Sequence, residues 1–145
     1  MNLETVFSLS GSLAMLGWLG LVFLPGQKWM VEVVARLVIP CVIAVIYVFL
    51  MLSNFQYAPA EGGFGSLAAV KSLFTVDALL LGGWIHYLAF DLFVGSWIVS
   101  NSRVHSVYHL LVIPCLALTF MAGPAGLLAY ILIREAVRLY RRKMQ

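Results

Sequence analysis

The feature that most constrains this chain is the near-absence of charge from its long apolar runs. Hydrocarbon about 30 Å thick is crossed by about 20 apolar helical residues at about 1.5 Å each, and four stretches meet that demand. Val6 to Leu24 carries no charged side chain. The second stretch runs from about Leu37 to Leu52, the third from Ala78 to Val99, and the fourth from about Ser106 to Ile133. With their entry turns the predicted spans are 6–24, 34–53, 77–100 and 106–133, in one membrane domain over 1–145 that ends in a basic tail at 134–145. The expected fold is all-α: an integral membrane four-helix bundle, its third helix the most enclosed. Composition excludes the alternatives. The chain is 63% hydrophobic and 10% charged, whereas a soluble domain runs near 45–50% and about 25%. Disorder fails for the same reason, and two cysteines cannot staple a secreted domain.

The first span is expected to stay in place. Its flank Met1-Asn2-Leu3-Glu4 lacks Lys or Arg, and no small-residue cleavage site precedes Pro25-Gly26. Between the second and third spans, turn chemistry around Pro59 and Gly62-Gly63 precedes a segment with Leu67, Val70 and Phe74 on one helical stripe. That pattern predicts a short interfacial helix. Glu32 and Arg36, at i,i+4, are spaced to pair. Cys41 and Cys115 each follow a proline and read as small buried hydrophobes. Loop charge sets the orientation. The tail holds Arg134, Arg138, Arg141, Arg142 and Lys143, which predicts cytoplasmic termini at both ends, with Lys71 inside and Lys28, Arg36 and Arg103 outside. The net charge of +3 sits mostly in that tail, so nucleic acid is not expected. The partner is the bilayer.

Chemistry in such a chain is sought where ionisable groups lie at hydrocarbon depth, since each costs roughly 2.5–3.5 kcal/mol at a helix centre. The third span stands out. From Asp77, His86 lies roughly 13 Å and Asp91 roughly 21 Å along the axis. At about 100° per residue, Asp77, Trp84 and Asp91 form one stripe with Gly95 close by, and His86 falls about 140° away from Asp91. Direct bonding of His86 to Asp91 is therefore not expected. Candidate catalytic residues are Asp91, His86 and His109. Trp84, Tyr87, Phe90, Gly95 and Trp97 are candidate ligand-binding residues, although such aromatics, Phe93 with them, are more often bundle packing and interfacial belt than a cofactor box. His105 and His109, at i,i+4, have a spacing that can share a metal. No glutamate intervenes and His105 falls in the loop after Asn101, so hydrogen-bonded histidines are expected and no metal site is assigned. Pro114 removes a backbone donor just beyond His109.

The string Trp84-Ile85-His86-Tyr87-Leu88-Ala89-Phe90-Asp91-Leu92-Phe93-Val94-Gly95-Ser96-Trp97 resembles the signature of the abscisic-acid-deficient-four family, named for its plant member. The stretch His109-Leu110-Leu111-Val112-Ile113-Pro114-Cys115-Leu116, followed by Phe120-Met121-Ala122-Gly123-Pro124-Ala125-Gly126-Leu127-Leu128, is similar to that family's second motif. The resemblance covers essentially the whole chain. It implies four spans and a role in carotenoid biosynthesis, where the plant family is tied to the isomerisation of violaxanthin, a xanthophyll epoxide, to the allene neoxanthin. It carries over His86, Asp91, His109 and Pro114 as motif positions. With no plastid-type leader visible ahead of the first span, the expected setting is a bacterial inner membrane. Two functions follow: an intramolecular isomerase of a carotenoid epoxide or other isoprenoid, with no further cofactor assigned, or a non-catalytic pigment-binding or accessory subunit, as a homo-oligomer or within a larger membrane complex. Epoxide opening to an allene needs an acid at oxygen and a base at the adjacent carbon, which a buried carboxyl and an imidazole can supply. A proton-coupled transporter rests on Asp91 alone and would need a dimer to form a pathway.

Overall fold

The computed structural model describes residues 2–144, which are helical in every long segment and contain no strand. Helix α1 spans Leu3–Phe23. A π-helical segment, Trp29–Val38, runs directly into α2, Ile39–Asn54. Then come α3, Leu67–Leu73, α4, Asp77–Val104, and α5, His109–Lys143. Counting the π segment and α2 as one rod, four helices are long and apolar enough to cross a membrane. The chain is an all-α integral membrane protein, with a short helix in its second connection.

Local chemistry explains the ends. Asn2 Oδ1 accepts from the Glu4 N–H at 3.0 Å, and Glu4 puts negative charge in the first turn of α1. Ser66 Oγ caps α3 by accepting from the Ala69 N–H at 3.1 Å. Leu73 of α3 turns inward while Leu67 faces out. Hydrogen bonding in the π segment reaches five residues back, as from the Ile39 N–H to the Val34 carbonyl, until Pro40, which has no N–H to give. Helix α4 is the hub, flanked by every other long helix. Small residues bring its neighbours close: Leu92 fills the space over Gly17 of α1, Trp18 lies on Gly95, and Met51 lies on Gly82. Ile43, Ile85, Leu92, Ile98 and Val112 are fully buried in the shared core.

Helix α5 does not run straight. Ala122 leaves helical geometry (φ −154°, ψ 73°), and the chain reverses there. The arms, 109–121 and 123–143, lie against each other, because a Cβ on Gly126 would overlap Thr119 and the Cys115 carbonyl. The second arm returns to the end where the first began. Tyr130 donates to Asn101 Oδ1 at 2.6 Å, and Arg141 donates to the Ser106 carbonyl at 2.7 Å. Gly123-Pro124-Ala125-Gly126 encodes the reversal: Pro124 suits the first turn of the new arm, and the two glycines permit backbone contact that a side chain would block. At about 1.5 Å per residue the first arm reaches about 20 Å, short of the roughly 30 Å of hydrocarbon.

This fold corrects the expected orientation. The start of α1 shares a cleft with Asp77, whereas its end meets α5, where His109 Nε2 bonds the Val22 carbonyl at 3.0 Å. Residues 2–4 and 141–144 therefore lie at opposite ends of the bundle, and the termini cannot both be cytoplasmic. The expected Glu32–Arg36 pair is also absent. Glu32 instead pairs with Arg103 at 2.9 Å, because Arg36 turns towards the oxygen-rich face of α4. Cys115 is buried as expected, but Cys41 is exposed.

Candidate functional site

The reversal of α5 leaves two helix ends inside the bundle, each with backbone groups that have no partner in their own helix. In hydrocarbon these must be satisfied by protein. Two residues of α4, one turn apart, meet them. Tyr87 donates its hydroxyl to the Phe120 carbonyl at 2.8 Å, closing the end of the first arm. Asp91 stands against Gly123 at the start of the second arm, where the helix dipole favours negative charge. A Cβ at position 123 would fall on the Asp91 carboxyl group. One oxygen of that group, Oδ2, is buried and makes no hydrogen bond: the Tyr87 hydroxyl and the Gly123 N–H lie beside the carboxyl, but the single Tyr87 proton is given to the Phe120 carbonyl.

Trp84 continues the stripe towards the other end. It stacks on Tyr87, with ring centroids 5.4 Å apart, and on Phe7 of α1 at 6.0 Å. Past Trp84 an apolar cleft of about 460 Å³ opens sideways between α1 and α4, lined by Leu3, Phe7, Leu80 and Trp84 with Glu4 and Asp77 at its mouth. Asp91, Tyr87 and Trp84 are thus brought together, beneath the hairpin tip and above this cleft.

The other sequence candidates lie elsewhere. His86 and Phe90 stack on each other at 4.5 Å on the side of α4 that faces Tyr47 of α2, and both are exposed. His109 is tied to the end of α1, far from the tip, so Asp91 faces Gly123 and not the neighbourhood of His109. His105 caps α4, its Nδ1 3.0 Å from the Asn101 carbonyl, so the two histidines have separate backbone partners. Gly95 receives Trp18, and Trp97 meets Tyr130 edge-on at 5.9 Å. Among the described residues no three His, Cys, Asp or Glu side chains converge as a metal site would require.

Sequence reasoning missed the residues that build the tip from α5, namely Phe120, Gly123 and Gly126, although the Gly-Pro-Ala-Gly string was visible as turn chemistry inside an apolar run. It also missed Phe7, which carries no signal beyond its place in the first span.

A bundle of long apolar helices around a polar tip defines a small integral membrane protein, with the Asp91 carboxyl group inside its bundle. The family profile described as ABA DEFICIENT 4-like matches residues 5–130, and the chain belongs to that family. Comparison with curated proteins and with solved structures gives no match.

Proposed function

We propose that this protein binds a carotenoid-type isoprenoid along the cleft between α1 and α4 and acts on it at Asp91, in a xanthophyll-isomerase type of reaction. The observation that carries this reading is the buried, partnerless Oδ2 of Asp91, on the stripe that Trp84 continues to the cleft. A rod-shaped polyene suits an apolar cleft open to lipid, and Phe7, Trp84 and Tyr87 offer it aromatic faces. Asp91 in its acid form protonates the epoxide oxygen. The carbon–oxygen bond breaks, and the resulting carboxylate removes the proton from the neighbouring carbon, so hydroxyl and allene form with the acid restored. One carboxyl serves both steps, since His86 and His109 are turned to other neighbours.

That same separation favours a second reading, a pigment-binding subunit without catalysis. Protein purified in mild detergent separates them. Conversion of added epoxide-bearing xanthophyll, lost in Asp91→Asn with folding kept, supports the enzyme. Stoichiometric pigment in the visible spectrum, unaltered on incubation, supports binding alone. Full turnover by Asp91→Asn removes Asp91 as the acid.

The orientation we propose puts the end holding Gln27, His105 and Met144 on the cytoplasmic side. Eight of the nine basic residues belong to that end (Lys28, Arg36, Arg103, Arg134, Arg138, Arg141, Arg142 and Lys143), leaving only Lys71 at the other.

A further inference from the structure

A second polar site lies on the opposite side of α4 from the α1 cleft, and nothing in the proposed chemistry uses it. Arg36, in the π segment, directs its guanidinium at three neutral oxygens: Ser96 Oγ at 3.2 Å, the Ser96 carbonyl at 3.1 Å and Ser100 Oγ at 2.7 Å. Arg103 reaches the same Ser100 Oγ at 3.4 Å. Two guanidinium groups thus converge on one hydroxyl, and the only carboxylate with them, Glu32, is paired with Arg103. Arg36 has no acidic partner among the described residues, and its Nη1 donates no hydrogen bond to them. A half-buried cation left this way calls for an anion.

The surface beside it limits what that anion is. Arg36 stands at the head of an apolar groove of about 280 Å³ between α2 and α4, walled by Pro40, Cys41, Ala44, Phe90 and Phe93 and open sideways. The groove runs from Arg36 towards the middle of both helices, the direction an acyl chain takes from a headgroup. A free anion would leave the groove unused, and a neutral hydrocarbon would leave the charge unmet. We infer that Arg36 and this groove form a binding site for an acidic glycerophospholipid, its phosphate on Arg36 and one acyl chain along Pro40 and Ala44. The eight basic residues of this end place the site in a leaflet surface where anionic lipid is concentrated.

The test uses the whole protein in nanodiscs of phosphatidylcholine with increasing phosphatidylglycerol, read by thermal unfolding and by native mass spectrometry for retained lipid. Wild type should melt higher with phosphatidylglycerol and retain one such lipid. Arg36→Gln should bind it about tenfold or more weakly. Ala44→Phe, which fills the groove and leaves Arg36 intact, should lose the retained lipid while folding normally, and so guards against a folding defect in Arg36→Gln. Arg141→Gln with Arg142→Gln should keep it, because the tail attracts lipid only diffusely. Inorganic phosphate in phosphatidylcholine discs should not reproduce the gain. Equal retention by wild type, Arg36→Gln and Ala44→Phe, or full replacement by inorganic phosphate, overturns the site.

Discussion

Alanine at Gly126 tests the hairpin by the sign of its effect. In an unbroken helix, replacing glycine by alanine removes backbone freedom from the unfolded chain and stabilises by roughly 0.5–1 kcal/mol. In the folded-back α5, the new Cβ would lie 2.5 Å from the Cys115 carbonyl oxygen and closer still to the Thr119 amide and hydroxyl. The amide and carbonyl are backbone atoms of the opposing arm, so no side-chain rotation relieves the overlap and the arms must separate. Overpacking of this kind costs about 1–3 kcal/mol. The two geometries therefore differ by about 1.5–4 kcal/mol and in direction. At roughly 2–4 °C per kcal/mol for a chain of this size, the expected fall is at least a few degrees. Gly11 supplies the control, because a Cβ there meets nothing within 4 Å. Thermal unfolding in mild detergent, followed by tryptophan fluorescence, should show Gly11→Ala melting above the parent and Gly126→Ala below it. A rise for Gly126→Ala equal to that of Gly11→Ala would refute the contact between the arms.

Three further expectations follow from the same geometry. In a background with Cys41→Ala and Cys115→Ala, Gln27→Cys and Met144→Cys should react with an impermeant maleimide from one side of the membrane and Gly63→Cys from the other; labelling of 27 and 144 from opposite sides would restore a fourth crossing. Tyr87→Phe should lower stability by about 1–3 kcal/mol in unfolding measurements, because it strands the Phe120 carbonyl at the tip. Asn101→Leu should cost a similar amount, since Oδ1 accepts from both Tyr130 and Arg134, whereas Glu32→Gln should cost at most about 1 kcal/mol, its pair with Arg103 being partly exposed.

Hydrocarbon thickness made most of the fold legible. Each apolar run became a helix because a helix satisfies its backbone within the segment and a run of about 20 residues is the length a helix needs, about twice that of a barrel strand. The path of the fourth run was not legible from hydropathy, which measures length and composition but carries no direction. Its signal lay in the flanks: Arg103 precedes the run and Arg134 follows it, and two basic flanks on one apolar segment fit a return to the same side better than a crossing. The site divides in the same way. Asp91 could be picked out by depth, and its angular separation from His86 followed from helical geometry. What each faces depended on neighbours that α4 alone does not specify, so His86 went to Tyr47 and Asp91 to a tip whose existence hinged on Gly123.

Asp91 does more at that tip than a cap requires. Matching the start of the second arm needs one acceptor beside Gly123, which a single oxygen of the carboxyl group supplies. Elsewhere in the bundle, buried hydroxyls find carbonyls of their own helix, as Ser96, Ser102 and Thr119 do. Among the described residues the second Asp91 oxygen is one of two buried side-chain polar atoms left without a partner, the other being Ser10 Oγ. Leaving such an atom unpaired costs about 1–3 kcal/mol, so a purely structural residue would be improved by losing it. A ligand that hydrogen-bonds Oδ2 removes that penalty in the folded state alone, and binding of this kind raises stability with ligand concentration. Xanthophyll carrying an epoxide or hydroxyl should therefore raise the melting temperature of the parent, and a hydrocarbon carotene of the same length should do so less. In Asp91→Leu the side chain fills much the same space but offers a ligand neither donor nor acceptor. Its melting temperature should respond about equally to the two pigments. Equal responses from the parent protein would mean that the free oxygen does not meet the ligand's polar end, and would leave Asp91 as a clamp on the hairpin.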